Sequence, residues 1–304
     1  MPLPQPIRGI IPPLVTPLSG RDTLDVAGLE RLIEHLITGG VHGLFILGTT
    51  GEAPSLSYRL RRELIERTCS LVKDRIPVLV GITDTAFVES VNLAQYSAEK
   101  GASAVVTAPP YYFPAAPPEL QQYIEDLVAE MPLPMFLYNM PGLTKVSFDI
   151  ELVRRALNMP GIAGVKDSSC DMIYFHRLIE VAKQRPEWSI LVGPEELTAE
   201  AVLLGGHGGI NGGANLHPSL YVKMYEAAAA QNLPLTRELH AQVMALAGSI
   251  YTVGRHKSAI IKGIKCGLSL LNICDDQMAE PFQRFNPPER ELIRERLSAL
   301  GLIS

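Results

Sequence analysis

Lys166 closes an apolar run, Gly161-Ile-Ala-Gly-Val-Lys-Asp-Ser-Ser169, whose composition is that of a central strand in a parallel sheet. An ammonium buried in such a strand is costly unless it is paired or gives up its proton. A desolvated lysine with a lowered pKa is a nucleophile suited to imine formation with a carbonyl substrate. The alternative is a lysine that reaches past the strand end to a carboxylate such as Asp167. Other polar groups end similar runs: the hydroxyl pair of Gly48-Thr-Thr-Gly-Glu52, the tyrosines of Ala108-Pro-Pro-Tyr-Tyr112, and Tyr138 in Tyr138-Asn-Met-Pro-Gly142. Two carboxylates follow in Gly193-Pro-Glu-Glu196, and Asn211 opens Asn211-Gly-Gly-Ala-Asn215. A lysine-imine enzyme needs this combination: a nucleophile, a phenol to move protons, and hydroxyl and N–H donors for a carboxylate.

These groups act together only if the fold brings the run ends to one place. Apolar, β-branched runs occur at Ile10–Thr16, Leu44–Gly48, Ile76–Ile82, Ala104–Ala108, Pro134–Asn139, Ile162–Lys166, Ile190–Gly193 and Gly209–Ala214. Their spacing is roughly 30 residues for most of the chain, the length of one strand, one helix and two loops. Helical periodicity fills the gaps at Leu24–Ile37, Arg59–Val72, Val88–Ala98, Leu120–Ala129, Ile173–Ala182 and Leu220–Ala230. The pattern predicts an α/β fold: a (β/α)8 TIM barrel over residues 1–230, its active site at the C-terminal ends of the strands. Residues 231–304 read as a C-terminal helical extension of the same unit, with helices at Leu235–Ile250, Ser258–Leu271 and Pro288–Leu300.

Composition narrows the function. The chain is 47% hydrophobic and 19% charged, enough for a full core and without a disorder signature. A net charge of −5 and the lack of a Lys/Arg cluster argue against a nucleic-acid surface. Cys69, Cys170, Cys266 and Cys274 form no CxxC pair, and Met1–Arg8 has no apolar signal core. The expectation is a cytoplasmic protein with reduced thiols and no membrane span. The histidines lack metal-ligand spacing, so no metal and no other cofactor is expected. The glycines of Gly205–Gly213 suggest a phosphate loop, but no lysine or arginine accompanies them, and His207 reads as part of a structural turn.

Gly-Thr-Thr-Gly-Glu at 48–52, Tyr-Asn-x-Pro at 138–141 and Gly-x-Lys-Asp-Ser at 164–168 together resemble the dihydrodipicolinate synthase / N-acetylneuraminate lyase family, the pyruvate-dependent class I aldolases. The resemblance runs from about Arg8 to the C-terminal helices. It implies that Lys166 forms the imine with pyruvate or another 2-keto acid and that Tyr138 is the general acid/base. Thr49 would link Tyr138 to Tyr112, which in this family reaches in from a neighbouring subunit of a homotetramer, a dimer of dimers. Thr50, Gly48 and the adjacent amides would hold the substrate carboxylate. The bland alternatives are that Thr49 and Thr50 cap a turn and that Tyr111 packs on the rim. Glu52 reads as an acceptor within its loop.

One position departs from the synthases. Leu143 stands where they normally carry an arginine for the carboxylate of the aldehyde partner, and leucine offers no donor. Apolar residues there resemble the neuraminate lyases and 2-keto-3-deoxy sugar-acid aldolases. Glu195, Glu196, Asn211 and Ser168, with Ser169, would suit a polyhydroxylated substrate, although the two glutamates could simply favour the start of a helix. The expected function is therefore reversible aldol cleavage of a 2-keto-3-deoxy sugar acid. The alternatives are 4-hydroxy-tetrahydrodipicolinate synthase and a non-catalytic barrel that binds a 2-keto acid.

Overall fold

The computed structural model describes residues 1–303. Eight parallel strands form one sheet: β1 (Gly9–Ile10), β2 (Leu44–Ile46), β3 (Val78–Gly81), β4 (Ala104–Thr107), β5 (Met135–Asn139), β6 (Ile162–Asp167), β7 (Ser189–Val192) and β8 (Gly208–Gly209). From β2 onward each strand pairs with the next, and β8 returns to β1. Closure between β1 and β2 is made just past β1. Phe45 N–H donates to the Pro12 carbonyl at 3.0 Å, and Leu14 N–H to the Phe45 carbonyl at 2.8 Å. The sheet is thus a (β/α)8 barrel, as the spacing of the apolar runs predicts.

Alternation along the strands separates two cores. Phe45, Leu79, Phe136, Ala163 and Leu191 fill the barrel interior. Their strand neighbours, such as Leu44, Val80, Leu137, Val165 and Ile190, face outward into a larger layer beneath the helices. Helix starts are set locally. Asp25, Ser57, Asp149 and Asp171 each accept a first-turn amide of the helix that follows. Trp188, the sole tryptophan, is 1% exposed and enters β7 at the end of the barrel opposite the mouth.

The first and last strands are shorter than expected. Pro12 and Pro13 carry no N–H and break the regular ladder after Ile10. Beyond β8 the chain turns at once into a 3-10 turn, Gly212–Asn215. The helix at Ile150–Ala156 and a small hairpin, Leu18–Gly20 with Thr23–Leu24, lie outside the runs read from sequence, and the helix after Glu195 and Glu196 is the short Thr198–Leu203. Helices Leu233–Ile250, Ala259–Leu270 and Pro287–Ala299 follow the barrel; the first two pack against the turn after β8. Among the described residues no helix is long and apolar enough to cross a membrane.

Candidate active site

Strand register does the main work. Tyr138 of β5 and Lys166 of β6 are direct cross-strand partners, and both point into the barrel near its C-terminal end. A register shift between Met135 and Phe136 aligns them. Gly164 supports that shift with a φ of 152°; a Cβ there would lie 2.1 Å from the Ser189 carbonyl oxygen. Lys166 is 3% exposed and makes no salt bridge among the described residues. Its Nζ instead lies 3.8 Å from the Tyr138 ring centroid and 4.8 Å from that of Phe45. The snorkelling alternative fails because Asp167 faces the other way. Its carboxylate accepts from Asn139 Nδ2 at 2.8 Å and from Ser169 Oγ at 2.9 Å.

Burial holds Lys166 below the ordinary lysine value, against the opposing pull of the Tyr138 oxygen. Burial by itself would push the Tyr138 phenol up. The neighbouring ammonium, followed by the Thr49 and Ser168 hydroxyls, outweighs this and brings it below the usual tyrosine value. The two groups face each other, so a proton can pass from the Lys166 ammonium to the Tyr138 oxygen and leave a free amine. Thr49 Oγ1 lies 3.3 Å from the Tyr138 hydroxyl, and the turn carrying it is closed by Glu52 N–H on the Thr49 carbonyl at 3.0 Å. Gly48 must be glycine, since a Cβ would sit 2.6 Å from the Phe45 ring. Ser168 Oγ occupies the space a side chain at Gly193 would need. Thr50 is half-buried on the same turn.

Other expected residues are placed differently. Tyr112 is 74% exposed, stacked edge-on to Phe113, and does not reach Thr49 within this chain. Leu143 is exposed on the short helix Pro141–Thr144 that follows β5. Glu195 differs most from the sequence reading. It is buried, and its carboxylate accepts from Gly213 N–H at 2.8 Å, from Tyr251 at 2.8 Å and from Tyr221. Burial pushes its pKa up to about 7. Neither oxygen is free for a ligand. Asn211 is likewise buried on the helix side of β8, where Nδ2 donates to Thr198 Oγ1 at 2.8 Å and to the Gly193 carbonyl at 3.1 Å. Glu196 remains half-buried and forms no hydrogen bond or salt bridge among the described residues. His207 accepts from Ile190 N–H at 2.9 Å, a turn contact.

Sequence reading missed Phe45, Tyr221 and Tyr251, and also the partner of Glu52. That partner is Lys265, which donates to Glu52 Oε1 at 2.6 Å. Lys265 carried the same signal as Lys166, a lysine among apolar neighbours, here Ile264 and Cys266.

The model of the dihydrodipicolinate synthetase family matches residues 6–300. The chain belongs to that family. A probable 2-dehydro-3-deoxy-D-pentonate aldolase of Escherichia coli K12 is 32% identical over 97% of this chain and 98% of its own length. A 4-hydroxy-tetrahydrodipicolinate synthase of Methanopyrus kandleri is 30% identical over 98% and 97%. Among solved structures, a dihydrodipicolinate synthase from Bacteroides thetaiotaomicron is 55% identical, with a TM-score of 0.94 over 97% of this chain and 99% of that one. A prophage protein of the family from E. coli K12, determined with pyruvate, is 28% identical with a TM-score of 0.91 over 97% and 99%. As a member of the dihydrodipicolinate synthetase family, the chain is a class I lyase, a pyruvate aldolase in the broad sense.

Proposed function

We propose that this lyase reversibly cleaves a 2-keto-3-deoxy sugar acid to pyruvate and an aldehyde, with Lys166 as the imine-forming amine and Tyr138 as the acid/base. The free Lys166 amine adds to the C2 keto carbon. Tyr138 gives a proton to the departing hydroxyl, which leaves as water and produces the iminium. Removal of the C4 hydroxyl proton by Tyr138 breaks the C3–C4 bond. The electron pair moves into the iminium as an enamine, and the aldehyde departs. Protonation at C3 and attack of water on the imine then release pyruvate and restore the amine. Thr49 orients the phenol through its 3.3 Å contact, and the amides of the Gly48–Glu52 turn, with Thr50, hold the carboxylate.

The observation that carries the substrate choice is Leu143, which offers no donor to a second carboxylate. A desolvated carboxylate without a charged partner costs several kcal/mol, of order ~1–3 or more, as an unsatisfied buried group. Glu196 is the carboxylate free to accept from sugar hydroxyls. Similarity to the E. coli pentonate aldolase supports the same choice. The second reading, 4-hydroxy-tetrahydrodipicolinate synthase, is favoured by the 55% identity to the Bacteroides chain, and it would need exposed Lys145 to turn inward. We further place the protein in the cytoplasm as a homotetramer in which Tyr112 completes the site of a neighbouring copy.

Pyruvate with borohydride should leave a reduced adduct on Lys166 and abolish activity; mass spectrometry locates it. Measured kcat/KM should then be higher for cleavage of a 2-keto-3-deoxy sugar acid than for condensation of pyruvate with aspartate semialdehyde. No adduct on Lys166 refutes the imine. A preference for aspartate semialdehyde refutes the sugar-acid assignment alone.

A further inference from the structure

Glu52 and Lys265 lie 213 positions apart and meet in a salt bridge sealed from solvent, their side chains 1% and 0% exposed. Lys265 also donates to the Gln277 carbonyl at 2.5 Å, and Ala279 N–H donates to Glu52 Oε2 at 2.9 Å. Both carboxylate oxygens are therefore filled by the C-terminal part of the chain. An ion pair buried in this way is weak evidence for stability, because an apolar pair of similar volume often does as well. Its geometry has a more specific effect.

Glu52 is the last residue of the turn that bears Thr49 and Thr50. Its backbone closes that turn onto Thr49 at 3.0 Å and adopts a left-handed φ of 57°. At the other edge of the turn Leu47 is left-handed too, with a φ of 56°. Non-glycine residues hold such angles only where the surroundings over-determine them. A further side-chain constraint is Thr16 Oγ1, which donates to the Gly51 carbonyl at 2.6 Å. Helix Ala259–Leu270 and the Gln277–Ala279 segment thus grip the turn from behind through one carboxylate.

We propose that Glu52 and Lys265 are positioning residues: through them the C-terminal extension sets the turn that holds the substrate carboxylate and the angle at which Thr49 meets Tyr138. Neither residue touches the reacting atoms. The inference rests on the imine reading of Lys166 and adds that the extension belongs to the keto-acid end of the site.

Glu52→Gln, Lys265→Gln and the double variant, all in the full-length chain, test it. The readout is the pyruvate concentration giving half-maximal borohydride labelling of Lys166, followed by mass spectrometry, beside the thermal midpoint. Each single change should raise that concentration at least tenfold while saturating pyruvate still labels Lys166. The double variant should be no worse than the poorer single, because the two residues act as a unit. Lower midpoints with an unchanged half-saturating concentration would make the pair merely structural and overturn the proposal, as would additive effects. Should the single variants fail to fold, the uncharged double variant decides alone: a tenfold shift supports the proposal and the wild-type value overturns it. Absence of any Lys166 adduct in the unmodified protein would overturn the imine reading and this inference together, a failure distinct from the others.

Discussion

Burial between two aromatic rings, with no carboxylate partner among the described residues, lowers the proton affinity of Lys166, and the Tyr138 oxygen, as phenolate, is the nearby group able to take up its proton. Tyr138→Phe keeps the ring against Phe45, so the fold should survive while turnover falls by about 10² or more, the usual scale for losing a general acid/base. Steady-state kinetics beside circular dichroism checks this. Glu195 gives a second test at the same scale. Its folded pKa of about 7 lies above the ordinary glutamate value, so its stability contribution is full below that ordinary value and is lost as pH rises through about 7. Glu195→Gln should remove a pH-dependent loss of about 3 kcal/mol over that window. Denaturant melts of both proteins at pH 5 and pH 8 would reveal it. Lys166 was legible in the sequence because an ammonium in an apolar strand is anomalous. Glu195 was not, because sequence cannot say which of two adjacent carboxylates turns inward. The pair begins a 3-10 turn, Glu195–Leu197, where successive side chains point about 120° apart, so only one can face a ligand.

The β5–β6 pair shows what an element contributes. The residues of both strands were readable as apolar runs, and so was their order. The register that sets Tyr138 opposite Lys166 was not, since it depends on a one-residue shift and a glycine in a conformation closed to other residues. Gly164→Ala should destabilise the protein by at least about 1–3 kcal/mol, the usual cost of such backbone strain. It should also lower the rate of imine formation beyond what the lost stability explains, because β6, which carries Lys166, must part from β7 at Ser189. Thermal melts and borohydride labelling of the folded fraction separate the two effects. Elsewhere, elements were missed where periodicity was short. Helix Ile150–Ala156 has 7 residues, too few for a clear 3.6-residue pattern. The prolines that shorten the first strand were visible, but the closure of the barrel past them depends on Phe45 from another strand.

At the scale of the molecule, one chain leaves its proposed site unfinished. Tyr112 and Phe113 are 74% and 80% exposed, a rim of aromatic surface that a second copy would bury. If Tyr112 completes a neighbour's site, Tyr112→Ala and Lys166→Ala should each be nearly inactive alone. Mixing the two under conditions that exchange subunits should recover part of the activity, because a hybrid contains one site with both residues intact. No recovery would confine Tyr112 to its own chain. Trp188 lies at the other end of the barrel, where β7 begins, away from the mouth. It is the single indole in a chain with 10 tyrosines. Emission excited selectively at the indole therefore follows the integrity of the barrel floor and stays blind to occupancy of the mouth. Phenolate absorbance from Tyr138 has the opposite bias. The protein carries two optical probes at opposite ends of one core, one for folding and one for ligand.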